Sequence, residues 1–324
     1  MSEPRSVAVV IPCWNSLALL PRCLASLADQ NVEMELMVVD NGSSDGSLAY
    51  LERENVPHVS LPVNTGFAAA VNLGVRRTRA AAVLVLNADT VLETDCADRL
   101  LEALDADPSL AGVQPRILQL EDERSTVASA RVYSVGQALT RDGRALELGA
   151  GEPQGAEHHV AAEIFGVCGA AALLRRSLFE QLGGYDERYF AFYEDVDLNV
   201  RARIAGWRFT YVPAAVVWHV GNAFWQQGFV DPAGENARLV ARNRGATQLK
   251  FMPASALPRI LAVEAGALAR ALRRHRLRAT LDGKLSALAW LRPLLAERRR
   301  LRRSGNLGLA RRWLGSPAKP IGGQ

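Results

Sequence analysis

The sequence predicts an α/β fold, a mostly parallel sheet flanked by helices, with a basic helical extension at its C-terminal end. Three observations carry this reading. Continuous apolar, β-branched runs, as expected of strands buried on both faces, alternate with segments of helical periodicity. Three of those runs stop at polar residues: Asn15 shortly after Pro12, Asp40-Asn41, and Asn87 with Asp89. Finally, 16 of the 38 basic but only 3 of the 34 acidic side chains lie from Ser255 onward. An acidic body over residues 1–254 therefore carries a basic tail over residues 255–324.

Taken in order, "VAVVIP" (Val7–Pro12) is the first strand and "LALLPRCLASLADQ" the first helix. "ELMVVD" (Glu35–Asp40) is the second strand, followed by the turn "NGSSDGS" and a short helix from near Asp45. "HVSLP" predicts a third strand, "GFAAAVNLGVRRTRA" a helix and "AAVLVLNAD" a fourth strand. Residues 119–160 have weak periodicity and read as variable loops or a small hairpin. After them an apolar strand leads to a helix that stops at Gly183-Gly184. An aromatic loop then reaches Glu194-Asp195, and a further helix runs through Arg201 to Gly206. In the tail, Leu277, Leu281, Leu285, Leu288, Leu291 and Leu295 recur at three and four residues. That stripe is expected to pack on the body or on a second copy, giving a homodimer.

Composition narrows the class. With 49% hydrophobic residues the chain is globular. Cys13, Cys23, Cys96 and Cys168 lie far apart with no CxxC pair, which argues against a disulfide framework and a zinc site. Reduced thiols fit a cytoplasmic protein. The start of the chain does not read as a signal peptide, and no window of about twenty residues is apolar enough to span a bilayer. A soluble or peripheral protein is expected. The aromatic interleaving of a single-strand nucleic-acid binder is missing.

In an open α/β sheet, ligands bind beyond the carboxyl ends of the strands, so the polar strand ends point to one site. Asn87 and Asp89 read either as a simple turn or as the holder of a hard divalent cation, Mg2+ or Mn2+, on a substrate diphosphate. Asp40 either closes a turn or accepts hydrogen bonds from a nucleobase or ribose. There is no Gly-Lys-Ser/Thr and no GxGxxG after the first strand, which removes a P-loop and weakens a dinucleotide site. Glu194, Asp195 and Asp197 are favourable at a helix N-terminus. The aromatic "YFAFY" before them suits a partly desolvated general base beside a sugar. His219, after an apolar run, is structural or completes a metal shell.

Six segments in order resemble the family 2 inverting glycosyltransferases of GT-A fold, in particular the bacterial rhamnosyltransferase-like branch. They are "VVIPCWN", "VVDNGSSDGS", "NTGFAAAVNLGV", "LVLNADT", "CGAAALLRRSLFEQLGGYDERYFAFYEDVDLNVRARIAGW" and "VPAAVVWHVG". They span about residues 6–222, with a weaker echo in "ARLVARNRGATQLKFMP". The resemblance implies a Rossmann-like nucleotide-diphospho-sugar transferase with a nucleotide-binding half (about 1–118) and an acceptor half (about 160–254). Pro12, Asn15, Asp40, Asn41, Asn64 and Gly66 would border the nucleotide-sugar donor. Asn87-Ala88-Asp89 takes the place of the Asp-x-Asp motif, with Asp89 and His219 as metal ligands. Asp195 matches the catalytic base and Glu194 its acidic neighbour; Gly169, Tyr193 and Trp218 fall on the acceptor side.

The first carboxylate of Asp-x-Asp is Asn87 here, which removes one charge from the metal site. The Gln-x-x-Arg-Trp signature of processive synthases is absent, which favours transfer of single sugars to a glycan, lipid-linked or other hydroxyl acceptor. A sugar-1-phosphate nucleotidyltransferase would need a Gly-rich, basic N-terminal signature that "VVIPCWNS" lacks. An inactive sugar-nucleotide-binding scaffold would not need Asp40, Asp89, Asp195 and His219 together. The tail arginines also suit anionic lipid headgroups or a polyprenyl-diphosphate acceptor.

Overall fold

The computed structural model describes residues 6–120, 131–220, 234–303, 308, 312–315 and 319–320. In chain order the strands are β1 (Ser6–Cys13), β2 (Glu33–Asp40), β3 (His58–Ser60), β4 (Ala82–Leu86), β5 (Thr90–Leu92), β6 (Leu110–Gln119) and β7 (Val132–Ser134). They continue with β8 (Gln137–Leu139), β9 (Ala145–Glu147), β10 (Ala162–Ile164), β11 (Ala171–Arg175), β12 (Arg208–His219) and β13 (Lys319–Pro320). The helices are α1 (Leu20–Leu27), α2 (Ser47–Arg53), α3 (Phe67–Arg77), α4 (Cys96–Ala106) and α5 (Arg176–Leu182). They are followed by α6 (Glu194–Ile204), α7 (Glu235–Phe251), α8 (Leu257–Arg273), α9 (Leu277–Ala289) and α10 (Leu291–Arg303).

The main sheet runs β13-β10-β12-β6-β11-β4-β1-β2-β3, with β5 on β12 and β7 on β6. β3, β2, β1 and β4 are parallel neighbours, and β12 is parallel to β6. β11 is inserted antiparallel between β4 and β6, so the sheet is mostly rather than wholly parallel. The chain lays β2 and β3 on one side of β1 and then returns to place β4 on the other. That reversal opens a crevice beyond the carboxyl ends of β1 and β4.

The β1 sequence explains its place: Val7, Ala8, Val9, Val10 and Ile11 are all fully buried. Alternation sends Val7, Val9 and Ile11 to one face, against Leu20 and Cys23 of α1 and Leu100 and Leu104 of α4. Ala8 and Val10 face the other way, onto Ala68, Val71 and Val75 of α3 and Leu198 and Ala202 of α6. All four cysteines are buried and unbridged.

The tail helices attach to α7 differently from the sequence expectation. The face that α9 turns inward is built from the small residues Thr280, Gly283 and Ala287. A Cβ at Gly283 would collide with the Arg238 carbonyl of α7, and Ala287 meets Gly245 of the same helix. This close approach turns the leucines outward: Leu281, Leu285 and Leu288 are 40, 64 and 55% exposed. Half of the stripe expected to pack on the body or on a second copy therefore stands at the surface of this chain, while Leu277, Leu291 and Leu295 are half-buried. Burial comes instead from Leu294 of α10, which meets Tyr189 and Ala246. Lys250 of α7 clamps the rest, bonding Asp197 of α6 at 2.7 Å and Glu297 of α10 at 2.9 Å. Among the described residues no helix is long and apolar enough to cross a membrane.

Candidate active site

A cavity of about 720 Å3 opens where β1, β2 and β4 end, closed on its far side by the start of α6 and one face of α7. Pro12, Asn41, Asn64, Gly66, Asn87, Asp89, Gly169, Tyr193, Glu194, Asp195 and His219 all line it. The residues predicted from separate strand ends thus converge.

On the β1–β2 side, Asn41 acts as a clamp. Its Nδ2 donates to Asn64 Oδ1 (3.0 Å) and the Gly66 carbonyl (3.1 Å), and its Oδ1 accepts from the Thr65 N–H at 2.8 Å. Gly66 has φ +90°, and a Cβ there would lie 2.6 Å from the Phe190 ring, so glycine is required where the loop crosses the aromatic turn. Asp40 is buried just behind this wall, paired in register with Cys13. Its Oδ2 accepts from Ser60 Oγ at 3.1 Å, while Oδ1 has no partner among the described residues.

Three expected contacts differ, Asp40 among them, since it sits behind the lining and not in it. Asn15 does not line the cavity: its Oδ1 accepts from the Ser44 N–H (2.8 Å) and so pins the Ser43-Ser44 turn. Trp218 faces away from it, because strand alternation gives the inward position to His219. The Trp218 indole N–H donates to Glu93 at 3.0 Å, and its ring packs near Leu19, Leu120 and Val220.

At the end of β4, Asp89 Oδ1 lies 3.1 Å from His219 Nε2, and Asn87 Nδ2 lies 3.5 Å from the same nitrogen. His219 Nδ1 is buried with no partner among the described residues, its ring set edge-on to Tyr133. One carboxylate and one imidazole fit a divalent cation whose remaining ligands come from a substrate diphosphate.

Across the cavity, α6 begins with Glu194 and Asp195. Asp195 Oδ2 accepts from the Gly169 N–H (3.0 Å) and from Gln137 Nε2 (2.7 Å). Burial pushes its carboxyl above the ordinary aspartate range, opposed by these donors. Gln137 Nε2 also donates to Glu147 Oε1 at 2.9 Å, and Glu147 Oε2 accepts from Ser134 Oγ at 2.6 Å. One amide therefore joins two carboxylates. Burial first, and then the charge on Asp195, pushes Glu147 up to about 7. Cys168 completes the cluster, its thiol driven well upward by burial and so kept protonated. Glu194 is also raised well above normal, by burial and then by Asp195.

Asp197, the third acid, is structural. Burial alone would raise it, but Lys250 and Arg201 hold its carboxyl below the usual range. The aromatic turn before α6 is strained, with φ of +66°, +68° and +69° at Phe190, Phe192 and Tyr193. Asn243 of α7, fully buried, supports it from behind: its Nδ2 reaches the carbonyls of Tyr189 (2.9 Å), Ala191 (2.8 Å) and Phe192 (2.7 Å).

The chain matches the model named Glycosyl transferase family 2 over residues 8–183, more than half its length. It belongs to that family. It is 33% identical over 223 residues to an N-acetylglucosaminyl-diphospho-decaprenol L-rhamnosyltransferase of Mycobacterium tuberculosis, covering 62% of this chain and 71% of that one. Its fold is GT-A, shared with solved glycosyltransferases. GalNAc-T7 with UDP, GalNAc and Mn2+ aligns with TM-score 0.62 at 14% identity, over 78% of this chain and 49% of that one. The mannosyltransferase PcManGT of Pyrobaculum calidifontis, with GDP-Man and Mn2+, aligns with TM-score 0.52 at 21% identity, over 95% and 86%.

Sequence reasoning missed Gln137, Glu147, Ser134 and Asn243. The first three come from β7 to β9, inside the stretch of weak periodicity read as variable loops or a small hairpin. Only Asn243 left a trace, within "ARLVARNRGATQLKFMP".

Proposed function

We propose that this glycosyltransferase inverts configuration, moving one sugar from a nucleotide-diphosphate sugar to a hydroxyl of a glycan or lipid-linked acceptor. The observation that carries the reading is the opposition, across one cavity, of the Asp89–His219 pair and the Asp195–Gln137–Glu147 cluster. dTDP-rhamnose is the favoured donor, because a decaprenol-linked rhamnosyltransferase is among the relatives. UDP- and GDP-sugars are the alternatives.

In the reaction, Asp195 takes the proton of the acceptor hydroxyl as that oxygen attacks the anomeric carbon. The new C–O bond forms on one face while the bond to the diphosphate oxygen breaks on the other. Gly169 and Gln137 fix Asp195 by Oδ2, and Glu147 shares that donor. Asn41, Asn64 and Gly66 shape the donor wall, Asp40 supplies a buried acceptor for the nucleoside, and the aromatic turn excludes water. A divalent cation held by Asp89 and His219 would supply positive charge to the departing diphosphate. Such a protein would act at the cytoplasmic side of a membrane.

The test is transfer from dTDP-rhamnose, UDP-GlcNAc and GDP-mannose to a polyprenyl-diphosphate-linked GlcNAc, with the product's anomeric configuration read by NMR. One donor giving inverted product is expected. Retained configuration, or no transfer from any donor, contradicts the proposal.

A further inference from the structure

Ten large apolar residues stand exposed among the described residues, and six of them fall on two consecutive helices. They are Leu257, Leu261 and Leu272 of α8 and Leu281, Leu285 and Leu288 of α9. Spacings of four and eleven on α8, and of four and three on α9, place them in stripes along each helix. Scattered exposed leucines need no explanation, but a concentration of this kind marks an interaction surface.

The charges around it identify the partner. Arg259, Arg270, Arg273, Arg274 and Arg278 are exposed on these helices and the turn joining them, against a single exposed acid, Asp282. Glu264, the other acid of the pair, is taken up by Arg244 and Lys284. Leucines flanked by arginines and almost free of acids match an anionic bilayer, where apolar side chains enter the acyl boundary and cations meet headgroups. A second copy docking by the same face would bring like charges together.

We propose that the outward face of α8 and α9 docks this protein on an anionic lipid surface. The placement has a functional consequence, which rests on the reading of a lipid-linked acceptor. Glu235, Asn236, Leu239 and Val240 of α7 line the cavity. Gly283 and Ala287 of α9 pack on Arg238, Ala241 and Gly245 of that same helix. The docking face therefore lies two helices behind the cavity, α7 and then α9, each about 10–12 Å across. A polyprenyl-anchored sugar whose chain stays in the membrane would have to cover that thickness to bring its hydroxyl to the cavity.

The experiment is flotation of the full chain with vesicles of phosphatidylglycerol and phosphatidylcholine, and of phosphatidylcholine alone, in 0.15 M salt. The wild type is compared with the triple variant Leu261→Ser, Leu285→Ser, Leu288→Ser, whose side chains are already exposed. Binding to anionic vesicles only, weakened at least tenfold in the variant, is the expected result. Failure to float, or flotation unchanged by the substitutions, overturns the proposal. So does a wild-type dimer in gel filtration that the substitutions dissociate, since a second copy would then be the occupant. Nucleotide binding in the same samples keeps this separate from the catalytic reading, which stands or falls without vesicles.

Discussion

Asp195→Asn is expected to lower turnover by about 10²–10⁴-fold, the usual worth of a general base, with nucleotide affinity within twofold of wild type. Asparagine keeps an oxygen where Gly169 and Gln137 now donate to Oδ2, so the cavity keeps its shape and loses only the proton acceptor. Single-turnover kinetics beside calorimetric donor binding separate the two effects. Turnover near normal would remove Asp195 from the mechanism.

The pH dependence carries a second signature. Asp195 and Glu147 share one amide donor, so they titrate as a pair. The charge on Asp195 helps burial push Glu147 up to about 7, so the pair's upper step falls near neutral pH. Once both are charged, Asp195 holds a proton more tightly and is the stronger base, so activity should rise through neutral pH. Glu147→Gln should lose that rise while keeping the lower-pH limb. A step near pH 7 that persists in Glu147→Gln would assign it to another group.

Asn243→Leu is the second large effect, and it acts without touching substrate. Left-handed backbone at a non-glycine residue costs about 1–3 kcal/mol, and the turn holds three such residues just before Glu194. Asn243 offsets part of that cost through the carbonyls it reaches. Leucine has a similar volume and no donor, so it leaves buried carbonyls unbonded. A loss of about 2–4 kcal/mol in urea unfolding is expected, with at least a tenfold drop in turnover as Asp195 loses its support. Wild-type values in both assays would show that the turn holds itself.

These residues also mark what the sequence could express. β1, β2 and β4 were legible because burial on both faces demands unbroken aliphatic runs. The site at their ends was legible because three such runs stop at Asn or Asp. Each alone reads equally as a turn, and it is their repetition at strand ends of one sheet that points to a site. Glu147 and Gln137 were not, since a short hairpin has no period to read and its residues reach Asp195 only through tertiary packing. The leucine stripe shows a different limit. Periodicity says which residues share a helix face, but Thr280, Gly283 and Ala287 decided that the opposite face of α9 would meet α7. Close backbone approach won over apolar area.

The most direct test of the account is a calorimetric titration of dTDP, UDP and GDP, each with Mn2+ and with EDTA, into the wild type and Asp89→Ala. The account predicts that one nucleotide binds, that Mn2+ strengthens it, and that Asp89→Ala abolishes the metal effect. If no nucleotide binds under any condition, the cavity at the end of β4 is not a donor site.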